Sequence, residues 1–475
     1  MSAARAERGA LAIVLHTHMP YVEGFGTWPF GEEWLWEAIA GSYLPLLELL
    51  DDGAPLTLSL TPVLCDQLEA PGVAERFERF VGQVRRRTHS EDAEGLRAGG
   101  HGQLADEVDR AGGDYARAGE RMEEIGGALL GALGAHAAWT SSATHSVLPL
   151  LATSAGLREQ VSSGVRSHRR RFGTGWQGGF WLPECAHEPA LEPTLIGAGA
   201  RAVCVELTAR LGLGAREHLQ PVLAESGLLL VPVDRQTMSL VWSDRGYPAG
   251  GPYRDYHHHT VHHHNPWDNA GGAYDHAAAL ALAAEHAADF VARTRARLDE
   301  HGAGLPGGGL VVCALDTELL GHWWYEGIAW LGSVVEECSR QGLALVKLDD
   351  ALAGIEPASL PGQGEWDASS WGEGGDLSTW SGPQVAGLAF DARAGELEVL
   401  RAGTRAGSEA IRAMLALQAS DWAFMVTRGT AVPYALERHR AHADLLARTL
   451  AGAAAGEELR NLAVDADPVD FLAPV

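Results

Sequence analysis

The chain has 475 residues, too many for one simple core, and its 46% hydrophobic content is that of a globular protein built from two or three domains. Its formal net charge of −26, from 36 Lys and Arg against 62 Asp and Glu, repels phosphate backbones and argues against a nucleic-acid partner; it suits a neutral polymer or a small substrate. No apolar run is long enough to span a bilayer, and no charged n-region precedes an apolar h-region. The five scattered cysteines (65, 185, 204, 313, 338) contain no C-x-x-C pair, so free thiols and a cytoplasmic location are expected.

In chain order, "ALAIVLHTHMPY" reads as a buried strand ending in polar residues, and "LTLSLTPVL" as a second strand. Residues 74 to 135 are charged, Ala-rich and helically spaced. "AAWTSSATHSVLPLL" is a strand end with a polar loop. "GGFWLPECA", "ARAVCVEL", "GLLLVPVD" and "LSLVWSD" are further strand candidates. Residues 275 to 300 predict a helix, "GGLVVCALDTELLGHWW" a strand running into a polar segment, and "GLALVKLDDAL" a strand and helix. Short apolar strands alternating with helices imply a parallel sheet, and their number implies a barrel. From about residue 384 the pattern turns helical, in "GSEAIRAMLALQASDWAFMV" and "YALERHRAHADLLARTLAGAAA". The junction before it carries Trp366, Trp371 and Trp380, which a flexible linker would not, so it is expected to be a functional loop.

In a parallel barrel the chemistry sits where strands end. His16, His18, Glu184 and Asp316 all stand just past apolar runs. Glu184 and Asp316 could flank a glycosidic bond, one attacking the anomeric carbon and one protonating the leaving oxygen. Either carboxylate is also compatible with an ordinary helix cap or an ion pair. His16 and His18 share one strand face, as a metal pair, as donors to sugar hydroxyls, or as plain loop residues; Asp316 and His322 are the further ligands if a metal is bound. Fifteen Trp against ten Phe and nine Tyr supply flat apolar platforms with an N–H handle, suited to sugar rings. Two His triplets, 257–259 and 262–264, lie among Tyr247, Tyr253 and Tyr256 and read as a solvated loop that covers a cleft.

Taken together, "HTHMPY" (16–21), "WTSSATHSVLPLL" (139–151), "GFWLPECAHEP" (179–189), "DTELLGHWWYEG" (316–327), "SSWGEGGDLSTW" (369–380) and "ASDWAFMV" (419–426) stand in the order found in glycoside hydrolase family 57. The sequence resembles that family nearly end to end, most closely its α-1,4-glucan branching enzymes. The resemblance implies an α/β fold: an incomplete (β/α)7 barrel over residues 1–383, with a helical insertion at about 70–135 and an active-site loop at 246–276, then a C-terminal all-α domain over 384–475. It implies a retaining double displacement without metal or cofactor, with Glu184 as nucleophile and Asp316 as general acid/base. It also implies that His16, His18, Trp28, His145, Trp181, His322, Trp323, Trp371, Trp380 and Asp421 bind substrate. Tyr253, Tyr256 and Trp267 are the loop candidates. The expected partner is an α-glucan such as amylose or glycogen, with a monomer or small homo-oligomer acting on it. The segment "GYPAGGPYRDYHHHTVHHHNPWDNAGGAYDH" is shorter than its counterpart in the family's branching enzymes and rich in His. That departure keeps α-amylase or 4-α-glucanotransferase activity as the alternative. A glucan-binding protein with a degenerate site and a zinc-dependent deacetylase or mannosidase are the readings from other classes.

Overall fold

A computed structural model describes residues 9–26, 31–360 and 362–472. Trp28 lies outside the described residues. The frame is a curled, largely parallel sheet whose strands are β1 (Ala10–Thr17), β2 (Thr57–Leu60), β3 (Ala137–Ser141), β4 (Gly179–Trp181), β5 (Ala202–Val205), β6 (Val222–Leu223), β7 (Leu229–Pro232), β8 (Leu310–Asp316) and β9 (Ala344–Leu345). Seven of them form the parallel run β7-β5-β4-β3-β2-β1-β8; β6 lies antiparallel outside β7, and β9 pairs with the start of β1.

Strand β1 is central because both of its faces are covered. Leu11 to Leu15 are fully buried, and such a strand reads as a continuous apolar run rather than an alternation. Its register with β8 sets His16 opposite Asp316, and its register with β2 sets Thr17 opposite Leu60. The parallel run does not close by strand pairing between β7 and β8. One backbone bond spans the seam, from Asp234 N to Val312 O at 2.8 Å. The Asp234 carboxylate there pairs with Arg297 of the helix His276–His301 at 2.9 Å, both side chains being buried. This is the expected incomplete (β/α)7 barrel.

Two elements depart from the sequence reading. "LSLVWSD" is not a strand: a helical turn Arg235–Met238 leads into it, Trp242 N bonds back to Met238 O, and Trp242 is 48% exposed. With β5 on one side and β6 on the other, β7 offers no free edge for it. The pattern "GSEAIRAMLALQASDWAFMV" is two helices, Ser408–Leu417 and Ser420–Arg428, broken at an extended Ala419 that bridges to Ser146. Residues 73 to 134 are helical almost throughout, with Gly102–Glu124 the longest piece. The C-terminal helices share a core with the barrel: Ile411, Met414, Leu445 and Phe471 pack with Tyr21, Val63, Ala143 and Ala155.

Candidate active site

The site forms at the carboxyl ends of β1, β3, β4 and β8, where parallel strands release their last residues into loops. Strand β4 ends at Trp181, and Glu184 follows in a tight turn with a left-handed backbone (φ 61). His145, after β3, has the same handedness (φ 57). His tolerates this region better than most residues, whereas Glu does not, so Glu184 holds backbone strain of the kind that clusters at functional sites.

The Glu184 carboxyl is nine-tenths buried, and both oxygens are held. Oε2 accepts from the Trp371 indole N–H at 2.9 Å, and Oε1 accepts from the Ser420 hydroxyl at 2.9 Å. Trp371 is itself tied down by its backbone N–H to Glu184 O at 3.0 Å, and the loop is zipped further by paired bonds between His187 and Ser369. Ser420 is delivered by the helix break, with its N–H on His145 O at 3.0 Å.

These contacts order the protons behind Glu184. Ser420 gives its hydroxyl proton to Glu184, so it must accept from His145 Nδ1, 2.9 Å away. His145 Nε2 is then an acceptor, and the His16 Nε2 at 2.9 Å is the donor. Burial pushes both imidazoles well below their ordinary range, so the chain is neutral His to neutral His to serine to carboxylate. His16 Nδ1 is left as an acceptor and Trp181 Nε1 as a donor, both without a hydrogen-bond partner among the described residues; the two rings stack at 4.5 Å.

Asp316 differs from Glu184 in one decisive respect. No hydrogen bond from a described residue reaches its carboxyl. Burial, and then the charge of Glu184, push it up to about 7. Burial also pushes Glu184 up to about 7, but the bonds from Trp371 and Ser420 pull the other way. Bonds donated to a carboxyl favour its charged form, and Glu184 receives two while none from a described residue reaches Asp316; both carboxyls nonetheless titrate in the same range, near neutrality.

His18 bonds Asp421 Oδ1 through Nε2 at 2.9 Å and Thr61 Oγ1 through Nδ1 at 3.2 Å, and its ring stacks on His145 at 4.0 Å. One group of possible metal ligands forms among the described residues: His18, His145 and Asp421, with ligand atoms within 4.8 Å of one another. Asp316 and His322 are not part of it. Every ring nitrogen of His18 and His145 already has a side-chain partner, so the group reads as a hydrogen-bonded network.

The remaining sequence candidates divide. Trp380 is 2% exposed and packs with Val147, Ala186, Val385 and Ala423, and it lines a small cavity of about 50 Å³ together with Ser420 and Trp422. Tyr253 is fully buried, its hydroxyl 2.8 Å from His286 Nδ1, so it belongs to the wall rather than to a loop tip. Trp267 stacks on His258 at 3.8 Å, within its own loop. His322, Trp323 and Tyr256 meet in a neighbouring cleft. The His-rich segment is docked, not free: His262 Nδ1 lies 2.7 Å from Asp92 Oδ1, and His264 is buried against His89.

Sequence reasoning missed Ser420, Tyr43 and Glu318. Glu318 Oε1 accepts from Tyr43 OH at 2.6 Å and His18 N at 3.1 Å, and burial pushes its carboxyl up to about 8. The alternation in "DTE", which repeats an acid two residues after Asp316, was the available signal for it. The break of helical spacing at "QASD" was the signal for Ser420.

Two family descriptions match the chain: glycosyl hydrolase family 57 over residues 137–361, and the 1,4-alpha-glucan branching enzyme C-terminal region over residues 393–466. The chain is 31% identical to the 1,4-alpha-glucan branching enzyme of Thermococcus kodakarensis, over 92% of this chain and 72% of that protein. It is 32% identical to a probable 1,4-alpha-glucan branching enzyme of Mycobacterium tuberculosis, over 94% of this chain and 92% of that protein. Among solved structures, the GH57-type branching enzyme of Pyrococcus horikoshii superposes with a TM-score of 0.89 at 28% identity, covering 98% of this chain and 97% of that one. The alpha-amylase AmyC of Thermotoga maritima, at 22% identity and a TM-score of 0.80, shares the fold. With such likeness running through both the barrel and the C-terminal helices, the chain belongs to glycosyl hydrolase family 57.

Proposed function

We propose that this chain is a 1,4-α-glucan branching enzyme that works by retaining double displacement. Glu184 attacks C1 of a glucosyl unit, the bond from C1 to the 4-oxygen breaks, and Asp316 gives its proton to that oxygen. The transferred chain is then held as an ester of Glu184. In the second step Asp316 takes the proton of an acceptor 6-hydroxyl, whose oxygen attacks C1 and releases Glu184, leaving an α-1,6 branch. His16 and Trp181 bind hydroxyls of the reacting sugar. Ser420 and Trp371 hold the carboxylate until it attacks and receive it again afterwards.

The observation that carries this reading is that the C-terminal helices, the part that matches the branching-enzyme region, deliver Ser420 to the carboxylate of the barrel. The substrate is an α-glucan of the glycogen or amylose type. Five free, buried cysteines favour a cytoplasmic setting, and no helix among the described residues is long and apolar enough to cross a membrane. The short, docked 246–276 segment favours the second reading, an α-amylase or 4-α-glucanotransferase that branches little, because water exclusion and the acceptor site decide the fate of the ester.

The test is to incubate the protein with amylose and resolve the anomeric protons by NMR. New α-1,6 signals with few new reducing ends are expected. Reducing ends without α-1,6 signals would replace the branching reading by the hydrolytic one.

A further inference from the structure

The catalytic pair has two unlike sides. Behind Glu184 the wall is closed by Trp371, Ser420 and His145. Beyond Asp316 the chain turns through Thr317–Leu319, and the Glu318 carbonyl accepts from Trp323 N at 3.3 Å. Trp323 lines a cleft of about 370 Å³ together with His322, Tyr256, Tyr115, Glu37 and Arg85. That size falls in the range of small-ligand sites, about 300–1,000 Å³.

Trp323 is 45% exposed and Tyr256 is 39% exposed. Their rings lie within 5° of parallel with centroids 5.3 Å apart, and His322 meets Tyr256 edge-on. Two large rings left open side by side in a concave surface mark a binding site more than a packing accident. Glu37 is already partnered, with Arg85 Nε donating to its Oε1 at 2.7 Å and Tyr115 OH to its Oε2 at 2.5 Å, while Glu33 on the same wall is pushed by burial up to about 7, toward its neutral form. A cleft whose Glu37 is paired and whose Glu33 is held toward its neutral form, with the outer parts of two stacked rings left exposed, fits a neutral, hydroxyl-rich ligand whose apolar face packs on the rings.

The chemistry then fixes which part of the glucan enters. In double displacement the acid/base group serves the leaving chain first and the incoming hydroxyl second, and both lie on its own side of the broken bond. We propose that the Trp323–Tyr256 cleft binds the acceptor glucan and presents its hydroxyl to Asp316. The cleft thereby governs the partition of the glycosyl ester between a second chain and water. This inference rests on Glu184 and Asp316 acting as the pair proposed above, but not on the linkage formed.

The experiment feeds amylose as donor with labelled maltotriose as acceptor, and counts label incorporated per new reducing end, whatever the linkage. Trp323→Ala and Tyr256→Ala should each lower that ratio by about tenfold, the equivalent of about 1.4 kcal/mol. An unchanged ratio, even with a slower overall rate, would show that the rings serve the donor chain or nothing, and would overturn the proposal. A protein with its native residues that hydrolyses amylose but incorporates no label would overturn it as well. If that protein incorporates label only in α-1,4 linkage, the branching reading fails while the acceptor cleft stands.

Discussion

The two carboxyls are told apart by their donors, and that difference is testable residue by residue. Asp316→Asn removes the proton donor, so glucan turnover should fall by about 10²–10⁴-fold. It should still form the glycosyl ester from glucosyl fluoride, whose leaving group needs no proton. Glu184→Gln should lose both reactions; if it keeps the fluoride reaction, the nucleophile lies elsewhere. Trp371 supplies a subtler test. Its N–H favours the charged form of Glu184, so Trp371→Phe should raise the Glu184 pKa and move the acid limb of kcat/KM upward by about one unit. A pH–rate profile reads this directly, and an unmoved acid limb would mean that the bond does not set the charge. Glu184, Asp316, His16 and His18 were legible as polar residues directly after apolar strands, whereas His145 came only from the resemblance to the family. Ser420 was not, because a serine before an aspartate at a helix start reads as an ordinary cap. The break at "QASD" marks a helix end there, but nothing local reports that this end, more than two hundred residues after Glu184, meets that carboxyl.

At the scale of elements, the strands with several apolar residues were legible and the short pairings were not. β1 and β8 announce themselves by continuous buried runs, whereas β6 and β9 have two residues each and exist only because a neighbour offers an edge. The segment after β8 shows the same dependence on partners. A π-helical turn, Ile39–Tyr43, places Gly41 against Gly321, and a Cβ on Gly321 would stand 1.9 Å from Gly41 O. Gly321 also has φ +97, a conformation in which any other residue is strained. This contact seats Tyr43 on Glu318 and, two residues after Gly321, sets the position of Trp323. Gly321→Ala should therefore cost about 2–4 kcal/mol, from a clash that forces backbone shifts and from the left-handed backbone. It should lower glucan turnover as well, because the strand end carrying Asp316 leads straight into it. Denaturant unfolding with an activity assay checks both; a chain of normal stability would show that the two loops part without cost.

For the molecule as a whole, a shared core and a buried acidic centre combine into a statement about pH. Since Tyr21, Val63, Ala143 and Ala155 of the barrel pack into the C-terminal helices, the two regions should unfold together, which makes a single midpoint meaningful. Asp316, Glu184 and Glu318 are raised by burial to about 7, 7 and 8 from ordinary values of 3.8, 4.5 and 4.5. A carboxyl whose folded pKa lies above its unfolded one binds its proton more tightly in the folded chain. Its contribution is thus full below pH about 4 and is lost as pH rises through about 7 to 8. The site therefore weakens the fold on the alkaline side, a cost kept because catalysis needs the acid near neutrality. Asp316→Asn abolishes the titration without leaving a bonded partner unsatisfied, since no described residue donates to that carboxyl. The variant should be more stable than the native chain by about 4 kcal/mol at pH 8 and by about 1–2 kcal/mol at pH 5, with the difference vanishing only below about pH 4. The remaining surface charge, from a formal −26, is common to both proteins and cancels in the comparison except for the single site. Calorimetric midpoints at the two pH values decide it. A difference independent of pH would show that Asp316 is ionised in the folded state across the range, and would remove it as the acid that protonates the leaving oxygen.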